Sequence, residues 1–302
     1  DEYPLFYGAP ALEHLVKRTI ESFPVVYGQI KIPYVKKSGF EEQLSRDFSL
    51  VNATTSVVSK AEARCCYLIL ACHYVALSDE RKEGLVYIAV NEETGVLLPE
   101  LLDKWQDFEV EYFPLGKVSS QFPLNLQKAT GAALKGAQSV AEKELAAFVD
   151  SMSWHLQRDV RNTREYYEAF QKEMQADLRQ TSLTPEQREA REQKLRDLPD
   201  EMARKIDDLR HKYQVQVTIR AGAARRLLVP VARVMIEVRY HGVSAQASLI
   251  YNPITQHFEP MVCYGCNQPT RRIIPARVDD KVLLPCDQCR ETKLKREEHG
   301  KK

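Results

Sequence analysis

The spacing of apolar residues changes character twice along the chain. Up to Phe122 they gather in short β-prone runs, from Asn125 to Tyr213 they recur mostly at steps of three and four, and from Gln214 they alternate. In the middle stretch Leu145, Val149, Met152, Leu156, Val160, Tyr167, Phe170, Met174 and Leu178 form one stripe on an otherwise charged rod. That is the pattern of an amphipathic helix. Thr184-Pro185-Glu186-Gln187 then supplies an N-cap, a proline suited to the first helical position and a glutamine placed for a capping box. One helix therefore stops and a second starts, with Leu195, Leu198, Met202, Ile206, Leu209 and Tyr213 as its stripe. At ~1.5 Å per residue the first would reach about 80 Å and the second about 40 Å. Two striped helices joined by a short turn predict an antiparallel hairpin, in which only the outer half of the longer helix is paired. Gly131 and Gly136 predict a break in the unpaired half, and Pro199 a kink or interruption in the second helix.

Ahead of the helices, Leu12, Leu15, Val16 and Ile20 predict a short amphipathic helix after the loop Tyr7-Gly8-Ala9-Pro10. Val25 to Val35 reads as a strand or hairpin arm. Cys65 to Leu77 and Gly84 to Val90 read as strands flanking the polar loop Ser78 to Glu83, and Leu97 to Trp105 as a short helix. Beyond the helices the period falls to two, with strands expected at Val215 to Ile219, Leu227 to Tyr240 and Val243 to Tyr251 and turns at His241-Gly242 and Asn252-Pro253. Pro230 must fall at an edge, a bulge or a strand end. The expected fold class is α+β: two β-rich segments separated by a long antiparallel helical hairpin, with a C-terminal four-cysteine zinc ribbon. The expected parts are an N-terminal α+β segment (1–122), the hairpin arm (123–213), an antiparallel β segment (214–262), and the zinc ribbon with a basic tail (263–302).

Composition narrows the function classes. A hydrophobic content of 44% is enough for packed cores and excludes a disordered chain. A net charge of +1 gives no global field to draw in nucleic acid, so any such binding needs local patches. No run approaches the ~20 apolar residues of a membrane span, and no membrane partner is expected. Four of the seven cysteines stand in CxxC pairs, which fits a reducing, cytoplasmic setting with bound metal better than a disulfide framework. A start at Asp1 reads as a processed chain or an excised fragment.

Candidate catalytic chemistry is sparse. Cys72 beside His73 is the one tempting pair, but neighbours on a strand point to opposite faces. Cys65, Cys66 and Cys72 read as small core residues. No Ser-His-Asp order, GxxxxGK[ST] loop or HExxH helix occurs. Arg158, Arg161 and Arg164 form a basic strip on the first long helix, interrupted by Asp159 and Glu165. Trp154 and His155 read as packing residues.

The strong chemical signal is Cys263-Tyr264-Gly265-Cys266 followed, after nineteen residues, by Cys286-Asp287-Gln288-Cys289. Two-residue spacing lets a tight turn aim both thiolates at one ion, and a second knuckle completes a tetrahedral four-cysteine site. Four protein thiolates leave no open position, so a structural Zn²⁺ is expected, with redox CxxC chemistry and a rubredoxin-like iron site as alternatives. Arg271, Arg272 and Arg277 lie between the knuckles. Lys293, Lys295 and Arg296 lie in the basic tail. These six are the candidate phosphate contacts. The plainer reading is a ribbon that caps a thin β domain, with a solvated tail.

Taken together, several stretches carry a resemblance to the C-terminal accessory region of bacterial Snf2/RapA-type helicases, the RNA-polymerase-associated ATPase group. They are Tyr7-Gly8-Ala9-Pro10 with its helix, the helices ending in Asp207-Asp208-Leu209-Arg210-His211-Lys212-Tyr213, and the meander closing in Ile250-Tyr251-Asn252-Pro253 and Phe258-Glu259-Pro260 before CxxC. In such proteins an ATPase motor precedes this region. No Walker A lysine motif stands in this sequence, so any ATPase activity would belong to a motor absent from the chain. The resemblance implies a non-catalytic accessory role: binding DNA or RNA, or docking to RNA polymerase or another protein. The alternative is a protein-docking module with structural zinc and no nucleic-acid affinity.

Overall fold

A computed structural model describes residues 14, 17–18, 24–33, 39–50, 53–114, 122–123, 126–179, 183–278 and 281–290, apart from the side chains of Arg277, Val278 and Lys281. The helix read on Leu12, Leu15, Val16 and Ile20 lies outside the described residues. The chain is a mixed α+β protein with a mixed sheet, a long helix and a cluster of four cysteines near its C-terminal end. It divides into two compact units. The first holds Asp1–Cys72, Val86–Ala137 and Ala221–Lys302, and the second holds His73–Leu85 and Gln138–Arg220.

The sheet has seven strands: β1 (Val25–Ile30), β3 (Thr54–Leu77), β4 (Arg81–Asn91), β5 (Val110–Tyr112), β6 (Gln216–Tyr240), β7 (Val243–Asn252) and β8 (His257–Phe258). Its order is β4-β3-β6-β1-β5, with β7 on β6 and β8 on β7. β6 runs parallel to β1, from Val25 opposite Ala224 to Gln29 opposite Leu228. It runs antiparallel to β7, from Ala232 opposite Tyr251 to Tyr240 opposite Val243. The two β-rich segments of the sequence thus share one mixed sheet. Alternation reveals which residues face a core, but it encodes neither a distant partner nor the sense of pairing.

β6 also corrects the expected pair of strands. The stretch Ala221-Gly222-Ala223-Ala224 has little β-propensity of its own. It nevertheless belongs to one 25-residue strand, Gln216–Tyr240, which pairs with β3 and, from Ala224 to Leu228, with β1. Pro230 falls inside that strand, in the gap between the ladder with β1, which ends at Leu228, and the ladder with β7, which starts at Ala232. There its missing N–H costs no bond on that side. His241 and Gly242 have φ of 49° and 77°. Two successive left-handed residues make the two-residue hairpin turn that matches strand twist. The polar loop before β4 is also shorter than expected, with Ser78 N–H bonded to Glu80 O and β4 already begun at Arg81.

Among the described residues the first unit has two large apolar cores and a smaller cluster of Cys66, Phe122 and Leu228. One gathers Ile30, Tyr67, Ile69, Leu101, Leu227 and Val229, walled by α2 (Pro99–Lys104) and the 3₁₀ turn Trp105–Asp107. The other packs Phe40, Leu44 and Phe48, on and after α1 (Phe40–Asp47), against Val234, Ile236 and Phe258. Beside them Arg226 is buried and donates to both carboxylate oxygens of Glu92, at 2.8 and 2.7 Å, and to the carbonyl of Pro123 at 2.7 Å. Glu259, equally buried, accepts from Tyr67 Oη, Asn91 Nδ2 and Asn252 Nδ2. Burial pushes its carboxyl above the ordinary value, against those three donors.

The long helix, α3 (Gln127–Leu178), is unbroken at Gly131 and Gly136. Two glycines cost about 1 kcal/mol each in a helix interior, and close packing offsets this. Ala129, Ala133 and Ala137 are fully buried, and a side chain at Gly136 would stand 3.0 Å from Leu97. α4 (Pro185–Tyr213) starts with the expected capping box, Thr184 and Gln187 exchanging both bonds, and continues through Pro199. In the second unit α3 and α4 touch in reverse order. Asp177 pairs with Arg191 at 2.9 Å, the Phe170 ring carries Lys194 Nζ at 5.2 Å, and Asp159 accepts from Tyr213 Oη at 2.6 Å. Trp154 is exposed, not packed, with Arg158 over its ring, while His155 stacks on Tyr213.

The buried Arg226–Glu92 pair yields the first prediction. Glu92→Ala leaves a guanidinium buried without its carboxylate and should cost about 3–5 kcal/mol in a urea melt. The double change Glu92→Met with Arg226→Met should cost clearly less, because no charge remains buried. A single-mutant loss below about 1 kcal/mol, the range of an exposed pair, would contradict a structural role for it.

Candidate metal centre

Short strands and turns, each too small to persist alone, bring the four C-terminal cysteines together. β9 (Met261–Val262) pairs antiparallel with β10 (Pro269–Thr270), and the first knuckle fills the loop between them. Cys263 N–H donates to Gln268 O at 2.8 Å and Asn267 N–H to Cys263 O at 3.0 Å. Asn267 takes a left-handed φ of 56° to close the turn, which asparagine tolerates better than most residues. Gly265 is required by space: a Cβ there would lie 2.9 Å from Cys289 Sγ.

The second knuckle arrives from the other side of an intervening hairpin. β11 (Arg272–Ile273) runs parallel to β2 (Ser49–Leu50), and Ser49 N–H donates to Arg271 O at 2.9 Å. This ties the segment to the sheet-bearing unit. β12 (Ala276–Val278) and β13 (Lys281–Leu283) then pair antiparallel. Cys286 precedes a single helical turn, α5 (Asp287–Cys289).

The four sulfurs all lie within 4.8 Å of one another, and Cys266 Sγ stands 3.8 Å from Cys286 Sγ. A tetrahedron of thiolates about 2.3 Å from a central ion has edges of about 3.8 Å. Cys263 and Cys289 are buried, Cys266 and Cys286 half-buried. Burial alone would push the Cys263 thiol up, but backbone N–H groups of Cys286, Cys266 and Gly265 hold it down at about 6. Gly265 N and Cys286 N lie 3.3 and 3.2 Å from its sulfur. Cys289 is pushed up to about 12 by burial and by the neighbouring sulfurs. The Cys263 thiolate is thus favoured by its surroundings, and a bound cation would favour the same form at Cys286 and Cys289. The four cysteines could hold a metal ion, and all-sulfur donors suit zinc.

The remaining cysteines stay apart from this cluster. Cys65, Cys66 and Cys72 are buried in the sheet, and burial pushes their thiols up to about 12, 12 and 11. This fits inert core residues. His73 instead faces Glu83, at 3.4 Å.

The candidate phosphate contacts fare differently from one another. Arg272 is exposed, but its Nε is 3.0 Å from Asp287 Oδ2, within the second knuckle. Arg271 is half-buried and gives its carbonyl to Ser49. Arg277 pairs through its backbone with Val282 across the hairpin, and its side chain lies outside the described residues. Lys293, Lys295 and Arg296 also lie outside them. Spacing rules do not single out Asp287. The usable signal was a carboxylate inside a CxxC with arginines upstream. Among the described residues no helix is long and apolar enough to cross a membrane.

Gly265→Ala tests the knuckle geometry without removing a ligand. The added methyl has to displace Cys289, so metal affinity should fall and the melting temperature with it. Cys286→Ser, which removes a donor outright, should lose the metal altogether, as read by metal analysis after gel filtration. Stoichiometric metal and an unchanged melt in Cys286→Ser would rule out the four-sulfur site.

No protein-family model matches the chain, and no curated protein matches it.

Proposed function

We propose that this chain is a non-catalytic accessory region of a helicase-like ATPase, in which Cys263, Cys266, Cys286 and Cys289 hold a structural Zn²⁺. The observation that carries the metal reading is the mutual approach of four sulfurs to within 4.8 Å. A cation would complete the ribbon at residues 263–302, and four thiolates would leave it no open position for catalysis. The reversed contacts between α3 and α4 support an antiparallel hairpin arm. The setting proposed is the cytoplasm, where thiols stay reduced.

Two surfaces suit partners. On α3, Trp154 and Tyr166 are exposed large aromatics, and Tyr264 at the first knuckle is 71% exposed. Exposed aromatics of this size are common anchors of protein interfaces. Together with the resemblance to Snf2/RapA-type accessory regions, they support docking to RNA polymerase or another protein. DNA or RNA contact would fall to Arg271, Arg277 and the basic tail. The pairing of Arg272 with Asp287 favours the second reading, a docking module with structural zinc and no nucleic-acid affinity, because it removes one of the three ribbon arginines from phosphate contact.

Fluorescence anisotropy with labelled duplex DNA, single-stranded DNA and RNA at several salt concentrations separates the two. The accessory reading expects micromolar binding that weakens steeply with salt, the slope giving the number of phosphates neutralised. Arg271→Ala and Lys293→Ala should each shallow that slope by about one contact. Absence of binding at low salt would leave the docking module.

A further inference from the structure

In the first unit a hollow of about 580 Å³ opens between the sheet and the α2–3₁₀ segment. Its walls include Val26, Ile69, Tyr87, Leu102, Trp105 and Arg225. Ala71, Ala223 and Ala224 line it together with Trp105. Its size falls within the ~300–1,000 Å³ of small-molecule sites. Val26 and Tyr87 stay 41% and 54% exposed, so the strands here are left uncovered where the neighbouring core is closed.

Arg225 is the unusual member. From Arg225 to Arg233 strand β6 carries three arginines, and two of them are matched by carboxylates. Arg226 is forked to Glu92, and Arg233 is forked to Glu93 at 3.0 and 2.7 Å. Arg225 is held by stacking: its guanidinium lies 4.3 Å from the Trp105 ring centroid and 5.8 Å from that of Tyr112. Its Nε is buried with no hydrogen-bond partner among the described residues. Neither ring offers Nε a hydrogen-bond acceptor, and it is the N–H edge of a guanidinium that forks to a carboxylate. A buried donor without an acceptor is a cost that an anionic ligand, with a small swing of the guanidinium, relieves.

We propose that this hollow is a binding site for a small organic monocarboxylate with a ring-bearing apolar body, its carboxylate on Arg225 and its ring against Trp105 and Tyr87. One guanidinium suits one negative charge. Asp103 also lines the hollow and sets it against dianions such as phosphate. The site is separate from the cysteine cluster and does not depend on the accessory reading.

Calorimetry on the full chain tests this with cinnamate, its uncharged counterpart cinnamamide, and inorganic phosphate. Cinnamate should bind one to one and roughly tenfold or more tighter than cinnamamide, the range of a charge-assisted fork, while phosphate should give no heat. Arg225→Gln should bring cinnamate down to the level of the amide. Ala223→Leu, which narrows the hollow and leaves Arg225 in place, should weaken both, and it decides the matter if Arg225→Gln fails to fold. Equal binding of acid and amide, cinnamate binding indifferent to either substitution, or no binding of cinnamate would each overturn the proposal.

Discussion

Four cysteine sulfurs meet within 4.8 Å of one another in the segment 261–290, and as thiolates they would repel one another unless a cation sat among them. The segment's strands are two or three residues long and its helix is a single turn. Pieces of that size do not bury enough apolar surface to persist unaided. The backbone partly meets the charge by aiming N–H groups at Cys263 and, from Cys289, at Cys286. A metal would supply the rest, so folding of this segment and metal binding become one equilibrium. The parallel contact of β11 with β2, and the burial of Ile273, Val282 and Leu284 beside Phe40 and Phe258, tie the segment to the rest of the first unit.

β6 plays the corresponding role in the sheet. One strand of 25 residues pairs with β3, β1 and β7, and the buried charges lie along it or at its neighbours. Arg226 is satisfied by Glu92, which directly follows β4, so a strand far away in sequence supplies the counter-charge for the centre of the sheet. Such a pair adds little net stability over an apolar substitute, yet it penalises any register that separates the two groups. Arg225, next to it, shows the same chemistry left open, and a ligand could complete it.

What could be read in the chain follows from how local each signal is. The four-cysteine cluster was legible because CxxC spacing is a local constraint and two knuckles need only meet. The capping box at Thr184 and the turn at His241-Gly242 are likewise written in four residues or fewer. Harder to read were β6 as one strand and its parallel pairing with β1, because Ala221 to Ala224 has little β-propensity of its own and Val25, the partner of Ala224, lies nearly two hundred residues away in sequence. The continuity of α3 through Gly131 and Gly136 was hidden because the buried alanines Ala129, Ala133 and Ala137 look neutral in an apolar count. The hollow beside Arg225 could not be read at all, since its lining residues come from stretches as far apart in sequence as Val26, Tyr87, Trp105 and Arg225.

X-ray absorption at the zinc edge, on the purified protein, tests most directly whether four cysteine sulfurs hold one zinc ion. The expected result is one zinc per chain, with four sulfur neighbours at about 2.3 Å and no nitrogen or oxygen bound to the metal. Nitrogen or oxygen among the directly bound atoms, or protein purified under reducing conditions without stoichiometric zinc, would contradict it.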